Sequence, residues 1–243
     1  MSQSSVLLEL ADVHTHIGAY HILHGVNLQI PRGELTLLLG RNGAGKTTTL
    51  RTIMGLWHAS QGGIHFNGRN ITQMNTPDIA SLSIGYVPEN MGIFSDLTVE
   101  ENMLLAARKS LRATQMDSAR LAWIYAMFPA VEKFWHDPAG KLSGGQKQML
   151  AVARAMVEPR DLLIVDEPSK GLAPAIVQNM IDAFQKMKAS GVTILLVEQN
   201  IHFAQALGDS VAVMDNGRVI HTGSMAALSA DPALQQSLLG LAL

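Results

Sequence analysis

Glu34-Leu35-Thr36-Leu37-Leu38-Leu39 runs directly into Gly40-Arg41-Asn42-Gly43-Ala44-Gly45-Lys46-Thr47-Thr48 and then into a helical stretch that Gly55 can cap. A strand this continuously apolar has both faces covered, as in parallel sheets flanked by helices. The loop fits G-x4-G-K-[ST] at every position. Its glycines let backbone N–H groups converge on one anion without Cβ obstruction, and the helix N-terminus that follows adds partial positive charge. Lys46 is placed to reach the β- and γ-phosphates of a nucleotide, and the Thr47 hydroxyl to ligate Mg²⁺. From average composition, a chance match arises in about one chain in a hundred of this length, and the strand-to-helix placement lowers that further. Gly40, Arg41, Asn42, Gly43, Ala44, Gly45, Lys46, Thr47 and Thr48 are the expected phosphate site.

A second apolar run, Leu162-Leu163-Ile164-Val165, ends in Asp166-Glu167-Pro168. Adjacent residues at a strand end point in different directions. Asp166 can therefore hold Mg²⁺ through its waters while Glu167 faces the γ-phosphate and deprotonates the attacking water, a role worth about 10² to 10⁴ in rate. Alone, the pair would read as an acidic step from strand to loop; after a phosphate loop it reads as metal ligand and base. Leu142-Ser143-Gly144-Gly145-Gln146 opens another apolar helix, and two glycines there leave bare N–H groups at a positive helix end. One phosphate loop needs only one such site, so this second one is expected to serve a nucleotide held elsewhere.

The rest of the chain alternates strand and helix. Residues 6–10 and 26–30 read as strands, residues 62–69 as a short strand with a hairpin at Asn67-Gly68, and Val192-Thr193-Ile194-Leu195-Leu196-Val197 as a third buried strand. Asp215-Asn216-Gly217 between two apolar runs is a hairpin signal. Thr98 and Glu101 form a capping box, a helix is expected over residues 117–128 and stopped by Pro129, and Pro174 suits the first turn of a helix ending near Gly191. The resulting expectation is α/β: a mostly parallel core sheet between helices, an N-terminal antiparallel β part and an inserted helical segment.

Composition removes other classes. The 243 residues are 47% apolar and 16% charged, which excludes a disordered chain. With 18 Lys and Arg against 20 Asp and Glu, and no basic run, a nucleic-acid partner is not expected. No stretch reaches the roughly 18 to 20 consecutive apolar residues of a membrane span. Met1-Ser2-Gln3-Ser4-Ser5 lacks the basic-then-apolar pattern of a secretory leader. The absence of cysteine excludes disulfides and thiolate metal sites.

With residues 40–48, 142–146 and 162–167 in this order, the chain resembles, over essentially its whole length, the ATP-binding subunits of ABC transporters. The resemblance implies a P-loop NTPase fold of one ABC ATPase domain: a RecA-like core with the antiparallel β part (residues 1–90 and 141–243) and a helical subdomain (residues 91–140). It implies ATP and Mg²⁺, and head-to-tail pairing in which each ATP lies between one subunit's phosphate loop and the other's Leu142, Ser143, Gly144, Gly145 and Gln146. Ser169-Lys170-Gly171-Leu172 would cross that interface. Leu23-His24-Gly25-Val26, Tyr86-Val87-Pro88-Glu89-Asn90, Leu97-Thr98-Val99-Glu100-Glu101-Asn102, Pro168-Ser169-Lys170-Gly171-Leu172-Ala173-Pro174 and Leu196-Val197-Glu198-Gln199-Asn200 are similar to the branched-chain amino-acid import ATPases in particular.

In most of the wider family a Gln stands at position 89 and a His at 199. Glu89 can still meet Mg²⁺ or water as an anion. Gln199 can donate to the γ-phosphate but cannot carry a proton, which places the base role on Glu167. The adenine-stacking position, usually aromatic, falls on Ile17, with Tyr20 and His16 nearby. The implied partners are a second ATPase subunit, identical or related, two membrane-spanning permease subunits and, indirectly, a solute-binding protein, at the cytoplasmic face of the inner membrane. The competing reading is a soluble ATPase of the same type acting on ribosomes or DNA; such proteins join two ATPase halves or insert long coiled coils, and this sequence does neither.

Other features have plainer readings. His14 and His16 share a strand face and read as a surface pair without a third ligand. Met149 and Met156 read as core, and Arg108, Lys109 and Arg112 as a solvated helix face. Met91, Ile93 and Phe94 read either as packing or as an apolar rim for a permease helix.

Overall fold

A computed structural model describes residues 5–107 and 116–240; Arg108, Lys109 and Arg112 lie outside them. The elements in chain order are β1 (Val6–Ile17), β2 (Tyr20–Pro31), β3 (Leu35–Gly40), α1 (Lys46–Ile53), β4 (Ala59–Phe66), β5 (Arg69–Asn70), α2 (Thr76–Ala80), β6 (Ile84–Val87) and α3 (Val99–Ala106). There follow α4 (Ser118–Met127), α5 (Pro129–Lys133), α6 (Gly144–Ala155), β7 (Leu162–Asp166), α7 (Pro174–Ala189), β8 (Thr193–Val197), α8 (Ile201–Leu207), β9 (Ser210–Asp215), β10 (Arg218–Ser224), α9 (Met225–Ala230) and α10 (Pro232–Leu239).

The strands form two sheets, β2-β1-β4-β5, all antiparallel, and β10-β9-β3-β8-β7-β6, parallel except for β10. The apolar runs are continuous because the larger sheet is covered on both faces, and period-2 alternation divides them between two cores. Leu35, Leu37 and Leu39 of β3, Leu163 and Val165 of β7 and Ile194 and Leu196 of β8 join the core with α6 and α7, including Met149 and Met156. Leu38, Leu162, Ile164, Leu195 and Val197 turn the other way, onto α1 and the antiparallel sheet.

Local chemistry sets the element ends. The Thr98 hydroxyl accepts from the Glu101 N–H at 3.1 Å and the Glu101 carboxylate accepts from the Thr98 N–H at 2.7 Å, the expected capping box. Asp117 caps α4, and Pro129 both follows its end and opens α5. The hairpin residues Asn67 and Gly68, and Asn216 and Gly217, all have positive φ, as their turns demand. The first hairpin is longer than expected, because the polar alternation through His14, His16, His21 and His24 continues both strands on the exposed face. His14 Nδ1 pairs with His21 Nε2 at 3.1 Å, and His16 with the Ser60 hydroxyl at 3.0 Å. The elements α2, β6, α8, α9 and α10 are too short for a periodic apolar pattern to stand out in the sequence.

Candidate nucleotide site

β3 delivers the phosphate loop, and glycine is needed where backbone must approach backbone. A Cβ on Gly40 would lie 2.3 Å from the Met214 carbonyl, and the φ of Gly40 is 145°. The turn joining β9 to β10 braces the loop from the other side. Gly217 donates its N–H to the Ala44 carbonyl at 3.0 Å, and its own carbonyl accepts from His24 at 2.9 Å.

The Lys46 side chain folds back under the loop, donating to the Gly40 carbonyl at 2.8 Å and the Arg41 carbonyl at 3.1 Å. Burial lowers its pKa, and Glu167, Asp166 and Glu89 oppose that loss of charge. Asn42, Gly43, Gly45, Lys46, Thr47 and Thr48 line a cavity of about 420 Å³ together with Ile22, Glu89, Glu167 and Lys170. The two segments expected to bind anions do not share it, since none of residues 142–146 is among its lining residues. Ile17 is half-buried opposite Tyr20 at the tip of the first hairpin, and Ile22 supplies the cavity's apolar wall.

β7 ends in the acidic pair. Asp166 is fully buried; its Oδ1 accepts from the Thr47 hydroxyl at 3.3 Å, and its Oδ2 has no hydrogen-bond partner among the described residues. A buried carboxylate with one oxygen free beside a hydroxyl is a hard-oxygen donor set that fits Mg²⁺. Desolvation pushes the Asp166 carboxyl up to about 6, partly offset by the Thr47 hydrogen bond.

The sign follows from linkage: a folded-state pKa raised above the unfolded value favours folding at low pH, and that contribution is lost as pH rises through about 6. At neutral pH the ionised group therefore destabilises the nucleotide-free chain, by something on the order of 2–3 kcal/mol. Asp166→Asn is expected to raise the melting temperature of the metal-free protein at pH 7, with the gain shrinking below pH 6 and vanishing near pH 4. Thermal melts in chelator across that range check this; a gain independent of pH would contradict the burial argument.

Glu167 adopts a left-handed φ of 49°, sparsely populated for a residue with a side chain, and its N–H is tied to the Val197 carbonyl at 2.9 Å. Its Oε1 accepts from the Gln199 amide, and its Oε2 lies 3.4 Å from the Lys170 ammonium. Lys170 also donates to Glu89 at 2.5 Å, so this lysine bridges two of the expected site carboxylates.

At the start of α6, Ser143 and Gln146 form a capping box, with Gln146 Oε1 accepting the Ser143 N–H at 2.8 Å. Leu142 is buried. The two glycines differ physically. A Cβ on Gly145 would lie 2.7 Å from Ile176, so packing requires it to be glycine. A Cβ on Gly144 would meet nothing within 4 Å, and its φ lies outside the left-handed range.

A phosphate-binding strand–loop–helix, an acidic strand end facing it and a mostly parallel sheet define a P-loop ATPase. The ABC transporter family profile matches residues 23–170. The chain belongs to the ABC transporter family and is one of its ATP-hydrolysing cassettes. It is 37% identical over 237 residues to the high-affinity branched-chain amino acid transport ATP-binding protein BraG of Pseudomonas aeruginosa, covering 96% of this chain and 100% of that one. It is 36% identical over 205 residues to the probable branched-chain amino acid transport ATP-binding protein LivF of Archaeoglobus fulgidus, covering 84% and 86%. The fold matches a dimeric, post-hydrolysis ATP-binding cassette bound to ADP and Pi with a TM-score of 0.79 at 23% identity, covering 90% of this chain and 99% of that one.

Proposed function

We propose that this chain is the ATP-hydrolysing subunit of an importer of small polar solutes, branched-chain amino acids by its likeness to BraG and LivF. It would work as half of a head-to-tail dimer with an identical or related ATPase. One observation carries the dimer: nothing in the monomer requires glycine at position 144. The backbone there is ordinary and the space is open, so neither strain nor packing selects glycine at this first helical position. A bare helix end with no local phosphate to serve is suited to a partner's triphosphate.

Gly40, Arg41, Asn42, Gly43, Ala44, Gly45, Lys46, Thr47 and Thr48 cradle the phosphates, and Ile17, with Tyr20 and His16 near it, meets adenine. Thr47 and Asp166 hold Mg²⁺ with Glu89 facing the same cavity; when bound, the ion draws charge from the phosphate oxygens. Glu167 takes the proton of the attacking water, Gln199 orients it, and Lys46 stabilises the charge that develops on the phosphate. Leu142, Ser143, Gly144, Gly145 and Gln146 close over the partner's nucleotide.

We read residues 91–140, which include α3, α4 and α5, as a helical subdomain on a core of residues 1–90 and 141–243. Between the two, Tyr86, Pro88, Met91, Gly92, Leu105 and Ala106 are among the lining of a cleft of about 350 Å³. Phe94, half exposed under the Arg154 guanidinium, extends its apolar rim. This cleft is the docking place for a permease subunit. Among the described residues no helix is long and apolar enough to cross a membrane. Two permease subunits and a solute-binding protein would complete the assembly at the cytoplasmic face of the inner membrane.

Gly144→Asp is the sharpest check on the shared site. It should leave the monomer's ATP affinity unchanged and its melting temperature equal or slightly raised, because a carboxylate suits a helix N-terminus, while cutting turnover more than tenfold by setting that carboxylate against the partner's phosphates. Full activity in that variant would end the dimer reading. The transport assignment is tested by purifying the tagged chain from solubilised membranes: permease subunits and solute-stimulated ATPase are expected, and recovery with ribosomes alone would overturn it.

A further inference from the structure

Glu198 directly follows the five buried residues of β8, and it is buried although its neighbour Gln199 is exposed. Its Oε1 accepts the Ser169 N–H at 2.9 Å, and its Oε2 accepts the N–H groups of Gln199 at 3.0 Å and Asn200 at 3.1 Å. One carboxylate thus joins the loop after β7 to the loop after β8, and both of its oxygens are taken by backbone amides. A buried charge needs such partners, and hydrogen bonds to a charged acceptor are the stronger kind. With its oxygens engaged, Glu198 is neither base nor metal ligand; its role lies in what it holds.

Those two loops carry the groups that meet at the proposed reaction centre. Ser169 lies two residues after Glu167, and the side chain of Gln199 contacts the Glu167 carboxylate. Asn200 caps α8 through Phe203, so the second loop is anchored at its far end as well. Glu198 is absent from the lining of the phosphate cavity; it lines a neighbouring cavity with Gly40, Arg41, Asn42 and Gln199, apart from Lys46, Thr47 and Glu167.

We infer that Glu198 is a positioning residue: it clasps the two loops so that Glu167 and Gln199 keep their mutual geometry, and it sets the start of the segment beginning at Ser169. This rests on reading Glu167 and Gln199 as the hydrolytic pair. Glutamine cannot replace it, because the amide has one acceptor oxygen and its NH₂ would face a backbone donor. One loop is then released.

Glu198→Gln should bind ATP within twofold of the parent while kcat falls about 10- to 100-fold, the scale expected when a reacting group is displaced by about an ångström. On a Gln199→Ala background the same change should cost little more, since both act through the Glu167 geometry. Should Glu198→Gln fail to fold, amide exchange on the unaltered protein serves instead: the Ser169, Gln199 and Asn200 amides should be protected like strand amides. A kcat within twofold of the parent overturns the inference. So does a parallel loss of ATP affinity, full additivity with Gln199→Ala, or fast exchange at Ser169. If the unaltered chain with its partners hydrolyses no ATP, the functional reading itself fails, while the exchange result still tests the clasp.

Discussion

Glu167→Gln is expected to keep ATP bound and to slow hydrolysis by about 10² to 10⁴. The substitution is isosteric, and the left-handed backbone at this residue is held by its own N–H bond to Val197, so the loop keeps its course. What disappears is the carboxylate to which the base role is assigned; Glu89, in the same cavity, is tied to the Lys170 ammonium. Gln199 has no titratable proton, and Asp166 is turned to Thr47. Lys170 and Gln199 engage the Glu167 oxygens, so neighbouring side chains fix the orientation of the carboxylate. Single-turnover hydrolysis read beside nucleotide binding and size-exclusion chromatography should show a stable ATP-bound dimer with almost no product. Turnover at the parent rate would refute the base assignment.

Lys46→Ala should act on binding. The ammonium donates to the Gly40 and Arg41 carbonyls, so its positive charge is held against the loop. Its deletion removes charge-assisted hydrogen bonds worth about 1.5–3 kcal/mol, which is about 10- to 100-fold in ATP affinity. It also leaves the loop carbonyls without their donor, so the loop itself should loosen. Titration with a fluorescent nucleotide analogue measures the loss, and unchanged affinity would refute the phosphate-loop reading. The two variants separate the roles: one traps nucleotide and the other fails to capture it.

Much of the site was legible because its signals are local. The glycine spacing before Lys46 reflects backbone approach within a single loop, and the Asp166-Glu167 step reflects the end of one strand. Buried strands announced themselves by unbroken apolar runs, and the capping box at Thr98 by two residues three apart. Glu198 and Lys170 were not legible. A carboxylate after an apolar strand could have been flagged as a candidate buried charge, but its partner Ser169 lies 29 positions away. Lys170 belongs to the segment expected to cross the interface, and only folding sets Glu89 beside it. Ile22 likewise reaches the cavity only because the antiparallel sheet packs against the phosphate loop.

The sequence by itself determined the chemistry proposed for the site: a candidate phosphate cradle, a carboxylate read as metal ligand, another read as base and a second bare helix end, each specified by backbone conformation and residue type within a few positions. Tertiary structure decided which groups meet. Parallel strand order brings the ends of β3, β7 and β8 together, so residues far apart in the chain share one cavity. Packing alone showed that Gly145 is glycine for space while Gly144 is not, because that difference depends on a neighbouring side chain, Ile176, on another helix.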